Sequence, residues 1–486
     1  MAHLLEHAQR LAGAFELSDE DVRRCSQSFI SELRLGLREK TPSMCQIPTF
    51  VTQIAGGHEK WATPQGISLG VDLGGTNLRV CSVELHGDTT STVLQSQLPV
   101  PPEIMVCDQA ARLFSFIANR LQDFLGTYHR SRLDAVANDH GTPPLSLGFT
   151  FSFPAYQTAL DSGILLRWTK GFDIADAVNQ DVCNLLQMEI DILKLPVKVA
   201  ALVNDAVGTV MSRAYSLPPS HVRPMVGAIF GTGTNGVYLQ ALSEVTKPIE
   251  GQPEHPDRSM FMSTEWGSFD NKLAVLPVTP YDLELNAFSV NPGDQMFEKR
   301  VSGMFLGELL GLAVLDLCSD DQVRLFRNFD SRDLAVAKRW SVDSSIVSVA
   351  EADNSTGLSV LSQKISDTLG IPEDYVIAED AQAVKLIAHA IGTRAARLAG
   401  MAVGAGYWRP RHMFRHGTGK RGCRVDVAVD GSVVEHYPGF EVHMRNALKV
   451  LDGIGDEGES NIIIGHTKDG SSAGAAIIAL LATRDI

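Results

Sequence analysis

The chain has 486 residues, of which 44% are hydrophobic and 20% are charged, a composition that excludes a disordered or fibrous protein. Its formal net charge of −15 disfavours nucleic acids and anionic membranes as partners, because like charges repel. The seven cysteines are dispersed and never form a C-x-x-C pair, which is typical of reduced cytosolic thiols and excludes a zinc ribbon or a disulfide scaffold. The first ten residues contain an acid and lack an apolar core, and the apolar stretches are too short to cross a bilayer. We therefore expect a cytoplasmic protein without membrane insertion.

The chain begins with a predicted helix. Ser18 is a candidate N-cap with Asp21 three residues later, and apolar residues then recur at helical spacing. Near Gly66 the pattern changes to strand–turn–strand units with small polar turns. These units occur around residues 75, 231 and 431. Helical stretches are predicted between them, at residues 109–125, 175–186, 297–317 and 381–403. Strands that alternate with helices indicate an α/β protein.

The first of these turns has the composition of a phosphate-binding loop. It runs from Asp72 through Gly74, Gly75, Thr76 and Asn77, and Arg79 follows. Glycines let backbone N–H groups approach a phosphate closely, the hydroxyl and the guanidinium add donors, and the aspartate is able to hold a water on Mg²⁺. The same residues are also typical of an ordinary tight hairpin.

The second turn, Gly231-Thr232-Gly233-Thr234-Asn235-Gly236, matches the G-x-G-x-x-G pattern of dinucleotide-binding folds. That interpretation requires a helix immediately afterwards, whereas the residues from Val237 onward have the composition of a strand. A phosphate turn between two strands is still possible. Two such turns in one chain favour a nucleotide clamp more than either turn alone.

An acidic residue lies between the two turns in the sequence. The apolar run VKVAALV is followed directly by Asn204 and Asp205. An aspartate at the end of a buried strand is costly unless it is paired or used in function. The alternative is that Asn204 or Asp205 only caps a helix beginning at Ala206.

A further set of polar residues lies in apolar surroundings, and each member also has an ordinary interpretation as a cap or a solvated charge. Carboxylates, amides and hydroxyls beside aromatic residues favour a sugar site. The set consists of Ser152, Thr169, Lys170, Glu265, Gln295 and Glu298. An H-E-x-x-H motif and a G-x-x-x-x-G-K-[ST] loop do not occur in the sequence.

The chain resembles the hexokinase family, with fungal glucokinases as the nearest group. The resemblance covers nearly the whole length and rests on long motifs in the order of the family. These motifs are LGVDLGGTNLRV, LGFTFSFP, LLRWTKGFDIAD, VNDAVGT, IFGTGTNGVYL, EWGSFDN, NPGDQMFEKRVSGMFLGE, VDGSVVEHYPGF and KDGSSAGAA.

The resemblance implies an actin-like ATPase fold (ribonuclease H-like) with two lobes around a central cleft. Residues 1–60 would form a helical segment packed on the large lobe. Residues 61–201, together with a C-terminal helix at 472–486, would form the small lobe, and residues 202–471 the large lobe.

The resemblance also implies roles for individual residues. Asp205 would be the general base, with Lys170 and Arg79 as further catalytic groups. The hexose contacts would be Ser152, Thr169, Lys170, Asn204, Asp205, Asn235, Glu265, Gln295 and Glu298. ATP would contact Asp72, Gly74, Gly75, Thr76, Asn77, Arg79, Gly231, Thr232, Gly233, Gly431, Ser432, Gly470 and Ser471, with Mg²⁺ held through water by Asp72.

Two residues depart from the family pattern. Ala206 stands where the family usually has Thr, and Ser472 stands where it usually has Gly. If Ser472 has a positive φ, it strains the nucleotide loop. Alternatively, Ser472 is an ordinary N-cap of the last helix.

The sequence therefore predicts an ATP-dependent and Mg²⁺-dependent glucokinase that acts on glucose and related hexoses. One alternative is a catalytically silent regulator of the same family, for which the departure at Ser472 is the only argument. A second alternative is a different actin-like ATPase, such as a chaperone or a filament protein. The predicted sugar-contact set argues against that second class.

Overall fold

The computed structural model describes most of the chain. The described residues are 2–40, 42–52, 64–74, 77–133, 143–218, 220–251, 259–320, 323, 325–327, 334–418, 424–468 and 470–483, and side chains at 408–418 are not described. The glycine and threonine predicted at positions 75 and 76 of the phosphate turn lie outside these ranges.

The strands form two large sheets and one small one. In chain order they are β1 (Ile47–Pro48), β2 (Gln65–Leu73), β3 (Asn77–His86), β4 (Ser91–Pro99), β5 (Leu145–Phe151), β6 (Ala155–Ala159), β7 (Ser162–Leu165), β8 (Val197–Val203), β9 (Pro224–Phe230), β10 (Thr234–Ala241), β11 (Ser259–Ser263), β12 (Val425–Asp430) and β13 (Ile462–His466).

The α-helices in the described residues lie before, between and after these strands. They span Ala2–Ala14, Asp19–Gly36, Pro102–Met105, Ala110–Tyr128, Val182–Ile192, Asp205–Ser216, Pro280–Phe288, Glu298–Val301, Gly303–Ser319, Ser345–Ala352, Ser359–Leu369, Ala378–Thr418, Ser432–His436, Phe440–Val450, Gly455–Glu459 and Gly470–Ala482. No described helix has the length and hydropathy that a membrane span requires.

The first large sheet has the strand order β4-β3-β2-β5-β8. β2 and β3 are antiparallel and pair Asp72 with Arg79 next to the turn. β5 and β8 extend the sheet in parallel with β2. Because the carboxyl ends of these parallel strands meet at one edge, the residues after Leu73, Phe151 and Val203 come together there.

The second large sheet has the order β1-β11-β10-β9-β12-β13. β9 and β10 form an antiparallel hairpin around the turn at Gly231–Gly233, and β12 lies parallel to β9. Two long helices, Ala378–Thr418 and Gly303–Ser319, supply much of the large core on this sheet. The N-terminal helices join the same core, where the Phe29 ring lies 4.8 Å from the ring of Phe269.

The helix Gly470–Ala482 connects the two halves of the molecule. It packs against the helix Asp205–Ser216 and the strands β2 and β5 in one apolar cluster. Its backbone lies so close to β5 that a β-carbon on Gly148 would overlap the carbonyl oxygen of Ala475. The sequence predicts the start of this helix near Ser472, whereas the structure places it at Gly470.

Several predicted elements are confirmed. Ser18 and Asp21 form a capping box at the start of Asp19–Gly36, and the first two strand–turn–strand units are antiparallel hairpins. The third unit was predicted wrongly, because the chain after Gly431 forms the short helix Ser432–His436 and not a strand.

Two predicted helices are interrupted. The stretch at 175–186 is a 3₁₀ turn followed by Val182–Ile192, which Asp181 caps by accepting from Cys183 N and Asn184 N. The stretch at 297–317 breaks at the extended residue Ser302. The N–H groups of Gly303 and Met304 donate to the carbonyl oxygens of Gly231 and Thr232, so a tertiary contact sets this break.

Candidate active site

Asp205 lies at the carboxyl edge of the first sheet, as the first residue of the helix that follows β8. Asn204 is the N-cap, and its Oδ1 accepts from the backbone N of Ala206 at 3.0 Å. The same N–H also lies 2.8 Å from Oδ1 of Asp205. The cap prediction is therefore confirmed for Asn204. Capping uses only Oδ1 of Asp205, and its Oδ2 lies 3.4 Å from the hydroxyl of Ser152.

Ser152 adjoins Asp205, and Lys170 in turn contacts Ser152. Ser152 follows β5, and the Nζ of Lys170 donates to the backbone oxygen of Ser152 at 2.7 Å. Lys170 has a φ of 57° and sits 5.5 Å from the centroid of the Phe153 ring. Thr169 is half-buried beside it and accepts a turn hydrogen bond from Phe172 N. Ser152 therefore contacts the acid through its hydroxyl and the Lys170 ammonium through its backbone oxygen.

The other sugar candidates lie on the second sheet and its loops. Asn235 on β10 donates from Nδ2 to Oε1 of Glu265 at 3.0 Å. The hydroxyl of Ser263 donates to the same Glu265 oxygen at 2.8 Å and accepts from Asn235 Nδ2 at 2.9 Å. Sequence reasoning missed Ser263, although a hydroxyl residue two positions before a buried acid is a usable signal. These hydrogen bonds hold the Glu265 carboxylate in place, and Glu265 itself has a φ of 54°.

Glu298 joins the sugar candidates to the second phosphate turn. Its Oε2 accepts from the backbone N of Thr234 at 2.8 Å. A β-carbon on Gly233 would lie 2.7 Å from that oxygen, so only glycine allows the carboxylate to approach the turn this closely. Gln295 lies one turn earlier, and its Oε1 accepts from Asn291 Nδ2 at 2.6 Å.

Burial shifts Glu298, Glu265 and Asp72 toward their neutral forms. Burial raises the pKa of Glu298 to about 7, and the nearby charge of Lys170 opposes the rise. Burial also raises the pKa of Glu265 and of Asp72, each against stabilising hydrogen bonds. Raised pKa values of this kind cluster at functional sites.

The first phosphate turn lies on the cleft and is tied to the last helix. Ser471 donates from Oγ to Oδ2 of Asp72 at 2.7 Å, and Arg79 donates to Oε1 of Gln97 at 3.0 Å. The cleft measures about 280 Å³. Its lining residues are Asp72, Gly74, Asn77, Arg79, Gln97, Lys170, Thr232 and Met304. Residues of the first phosphate turn, the second turn and Lys170 thus share one cavity.

The second phosphate turn is closed by its own hydrogen bonds. The N–H of Gly231 donates to the oxygen of Gly233 at 3.0 Å, and the oxygen of Gly231 accepts from Gly303 N at 2.8 Å. Thr232 lines the cleft. The N–H of Gly231 is therefore used within the turn and is not available to a phosphate.

Asp430, which the sequence analysis did not identify, holds together the segments at Gly431 and Gly470 that carry predicted ATP contacts. Its Oδ1 accepts from Gly431 N at 2.7 Å, and its Oδ2 accepts from Gly470 N at 2.9 Å. Gly431 has a φ of 121° and packs beside Gly231, while Ser432 begins the following helix. The predicted residues Gly431, Ser432, Gly470 and Ser471 therefore adjoin the phosphate turns.

Both interpretations of Ser472 are wrong. Ser472 is the third residue of the helix Gly470–Ala482, is buried, and does not have a positive φ. It is therefore neither a strained loop residue nor an N-cap. Ala206 is fully buried, and its backbone N–H completes the cap of Asn204, so this substitution leaves the cap intact.

Comparisons with known proteins show the family of the chain. Models of the family described as hexokinase match residues 7–215 and 225–481. The chain is 43% identical to a glucokinase of Aspergillus niger, over 99% of this chain and 98% of the relative. The chain belongs to the hexokinase family.

Further similarities extend over the whole chain. Glucokinase-1 of Saccharomyces cerevisiae is 37% identical over 99% of this chain and 97% of the relative. The solved structure of a Schistosoma mansoni hexokinase complexed with glucose superposes with a TM-score of 0.81 at 32% identity, covering 99% of each chain. The chain therefore has the two-lobed actin-like ATPase fold of hexokinases.

Proposed function

We propose that this hexokinase-family protein is an ATP-dependent glucokinase, which transfers the γ-phosphoryl group of ATP to the 6-hydroxyl of glucose and releases ADP and glucose 6-phosphate. The observation that carries the proposal is the juxtaposition of Asp205, Ser152 and Lys170 with the cleft of the phosphate turns. The glucokinases among the relatives support glucose as the acceptor.

In this proposal, the polar residues of both lobes bind the sugar. Ser152, Thr169, Lys170, Asn204 and Asp205 contact it from the side of the first sheet. Asn235, Glu265, Gln295 and Glu298 contact it from the large-lobe side. Glu265 is held by Ser263 and Asn235, so its second carboxylate oxygen is positioned to accept from a sugar hydroxyl. Prepositioned acceptors reduce the entropy lost on binding.

Asp205 then orients the 6-hydroxyl and accepts its proton as the oxygen attacks the γ-phosphorus. The transition state of phosphoryl transfer is loose, so the orientation of the hydroxyl contributes more than early proton removal. Lys170 and Arg79 offset the negative charge of the transferred group. Water is also a nucleophile, so closure of the lobes over the sugar limits hydrolysis of ATP.

Asp72 fits the proposed magnesium site. Its Oδ1 is buried and has no hydrogen-bond partner among the described residues, while its Oδ2 accepts from Ser471. A carboxylate oxygen held in this way suits a hard cation that keeps its own waters. Bound Mg²⁺ would neutralise phosphate charge. No cluster of three or more metal-binding side chains is present in the described ranges.

The catalytically silent alternative loses its argument, because Ser472 does not strain the nucleotide loop. The cytoplasm remains the proposed compartment on the basis of the free cysteines. The boundaries of the lobes at 60, 201 and 471 remain a prediction.

A coupled assay for ADP release tests the function across glucose, mannose and fructose. The proposal expects glucose-dependent ADP release, and ADP release that no hexose stimulates would contradict it.

A further inference from the structure

An ion pair joins the two lobes beside the proposed sugar contacts. Arg167 follows β7 in the small lobe, and Asp294 lies in the large-lobe loop before the helix Glu298–Val301. The guanidinium Nη2 of Arg167 lies 3.3 Å from Oδ2 of Asp294. Arg167 precedes Thr169 by two residues, and Asp294 directly precedes Gln295. Each partner therefore belongs to a segment that carries a proposed hexose contact.

The two oxygens of Asp294 have separate partners. Oδ1 accepts from three groups of its own lobe: the Nδ2 of Asn271 at 2.7 Å, the backbone N of Gln295 at 2.9 Å and the hydroxyl of Ser268 at 3.3 Å. Oδ2 faces Arg167. The large lobe thus holds the carboxylate in place, and the oxygen that is turned to the small lobe is oriented in advance.

We propose that Arg167 and Asp294 are positioning residues that hold the two lobes together over bound glucose and set the lifetime of the glucose complex. This inference rests on the proposed function. A contact of 3.3 Å exists only while the two segments are this close, so any separation of the lobes removes it. The pair therefore stabilises the closed arrangement relative to an open one.

The exposure of the pair sets the size of the effect. The side chain of Arg167 is 53% exposed and that of Asp294 is 36% exposed, so water and salt screen their attraction. Ion pairs of this exposure change an equilibrium about two- to five-fold. An interaction of that strength favours the closed arrangement of the lobes. It still permits product release, which requires the lobes to open.

The test is a double-mutant cycle on glucose binding, measured by intrinsic tryptophan fluorescence at equilibrium and by stopped flow. Arg167→Met removes the charge and keeps the aliphatic stem. Asp294→Asn keeps a carbonyl oxygen for Asn271 and Gln295. We expect each variant to raise the Kd for glucose about two- to five-fold, mainly through faster dissociation. The Kd for glucose of the double variant should not exceed the higher of the two Kd values of the single variants.

Two further measurements separate a positioning role from a merely structural one. The kcat at saturating glucose should not fall in Arg167→Met, because the chemical groups are untouched. Added salt should weaken glucose binding in the wild type more than in Arg167→Met. Arg24→Met is the matched control, since Arg24 pairs with Asp21 at exposures of 51% and 30% within one helix, and it should bind glucose like the wild type.

The outcomes distinguish this inference from the proposed function. Wild-type affinity in Arg167→Met, or fully additive effects in the cycle, would overturn the interlobe role while glucokinase activity stands. An absence of glucose binding by the wild type would overturn both.

Discussion

Glu298 is expected to make the affinity for glucose dependent on pH. Burial raises its pKa to about 7, so in the free protein this carboxyl group changes charge in the neutral range. A sugar hydroxyl that donates to the carboxylate favours the ionised form. Glucose binding should therefore lower the pKa of Glu298 and release a proton, and the affinity should rise as the pH rises through 7.

The size of this effect follows from the pKa. With a pKa of about 7, the ionised fraction of Glu298 is about one-tenth at pH 6 and about nine-tenths at pH 8. If only the ionised form accepts from the sugar, the Kd for glucose falls about tenfold over this range. The nearby charges of Lys170, Glu265 and Asp205 also act on this equilibrium, so the comparison has to be made with a variant at position 298 itself.

The assay is isothermal titration calorimetry of glucose binding from pH 6 to pH 8, in buffers of different ionisation enthalpy, with Glu298→Gln as the test variant. The variant should lose the pH dependence and the proton release. Glu32→Gln is a matched control, because burial also raises the pKa of Glu32 to about 7 and it accepts from the backbone N of Asp270 at 3.2 Å. A flat wild-type profile, or an unchanged slope in Glu298→Gln, would refute this reasoning.

Three other predictions address the nucleotide site, the core and ligand linkage. Ser471→Ala removes the hydrogen bond to Asp72 and should raise the KM for ATP about tenfold with little change in the Kd for glucose, as steady-state kinetics and calorimetry will measure. Arg394→Met leaves the fully buried Asp282 carboxylate without its bidentate partner and should lower the free energy of unfolding by about 3–5 kcal/mol in denaturant titrations; a loss below about 1 kcal/mol would contradict this. Glucose at about 100 times its Kd should stabilise the native protein by about 2.7 kcal/mol, visible as a higher melting temperature that a sugar without the matching hydroxyls does not produce.

The contiguous parts of the fold could be predicted from the sequence. In the first two hairpins, strand, turn and strand follow one another, so local preference and tertiary structure agree. The cap at Asn204 is likewise local, since the acceptor and the N–H it binds are two residues apart. The resemblance to the hexokinase family then assembled these units into two lobes.

The parts that depend on distant contacts could not be predicted. The dipeptide Asp430-Gly431 has the composition of a hairpin turn, but Asp430 also binds the N–H of Gly470, forty residues later in the chain. The break at Ser302 depends on carbonyl groups of the turn at Gly231. The pair between Arg167 and Asp294 is of the same kind, because neither residue has a local pattern that points to the other.

The central claim is that Asp205 is the base of a glucose-phosphorylating site, and the most direct measurement is ADP release by purified wild-type protein and by Asp205→Ala. We expect glucose-dependent ADP release by the wild type and a loss of about 10²-fold or more in kcat in the variant. The variant should stay folded, because Asn204 still caps the helix. A well-folded Asp205→Ala that retains more than about a tenth of wild-type turnover would contradict the assignment.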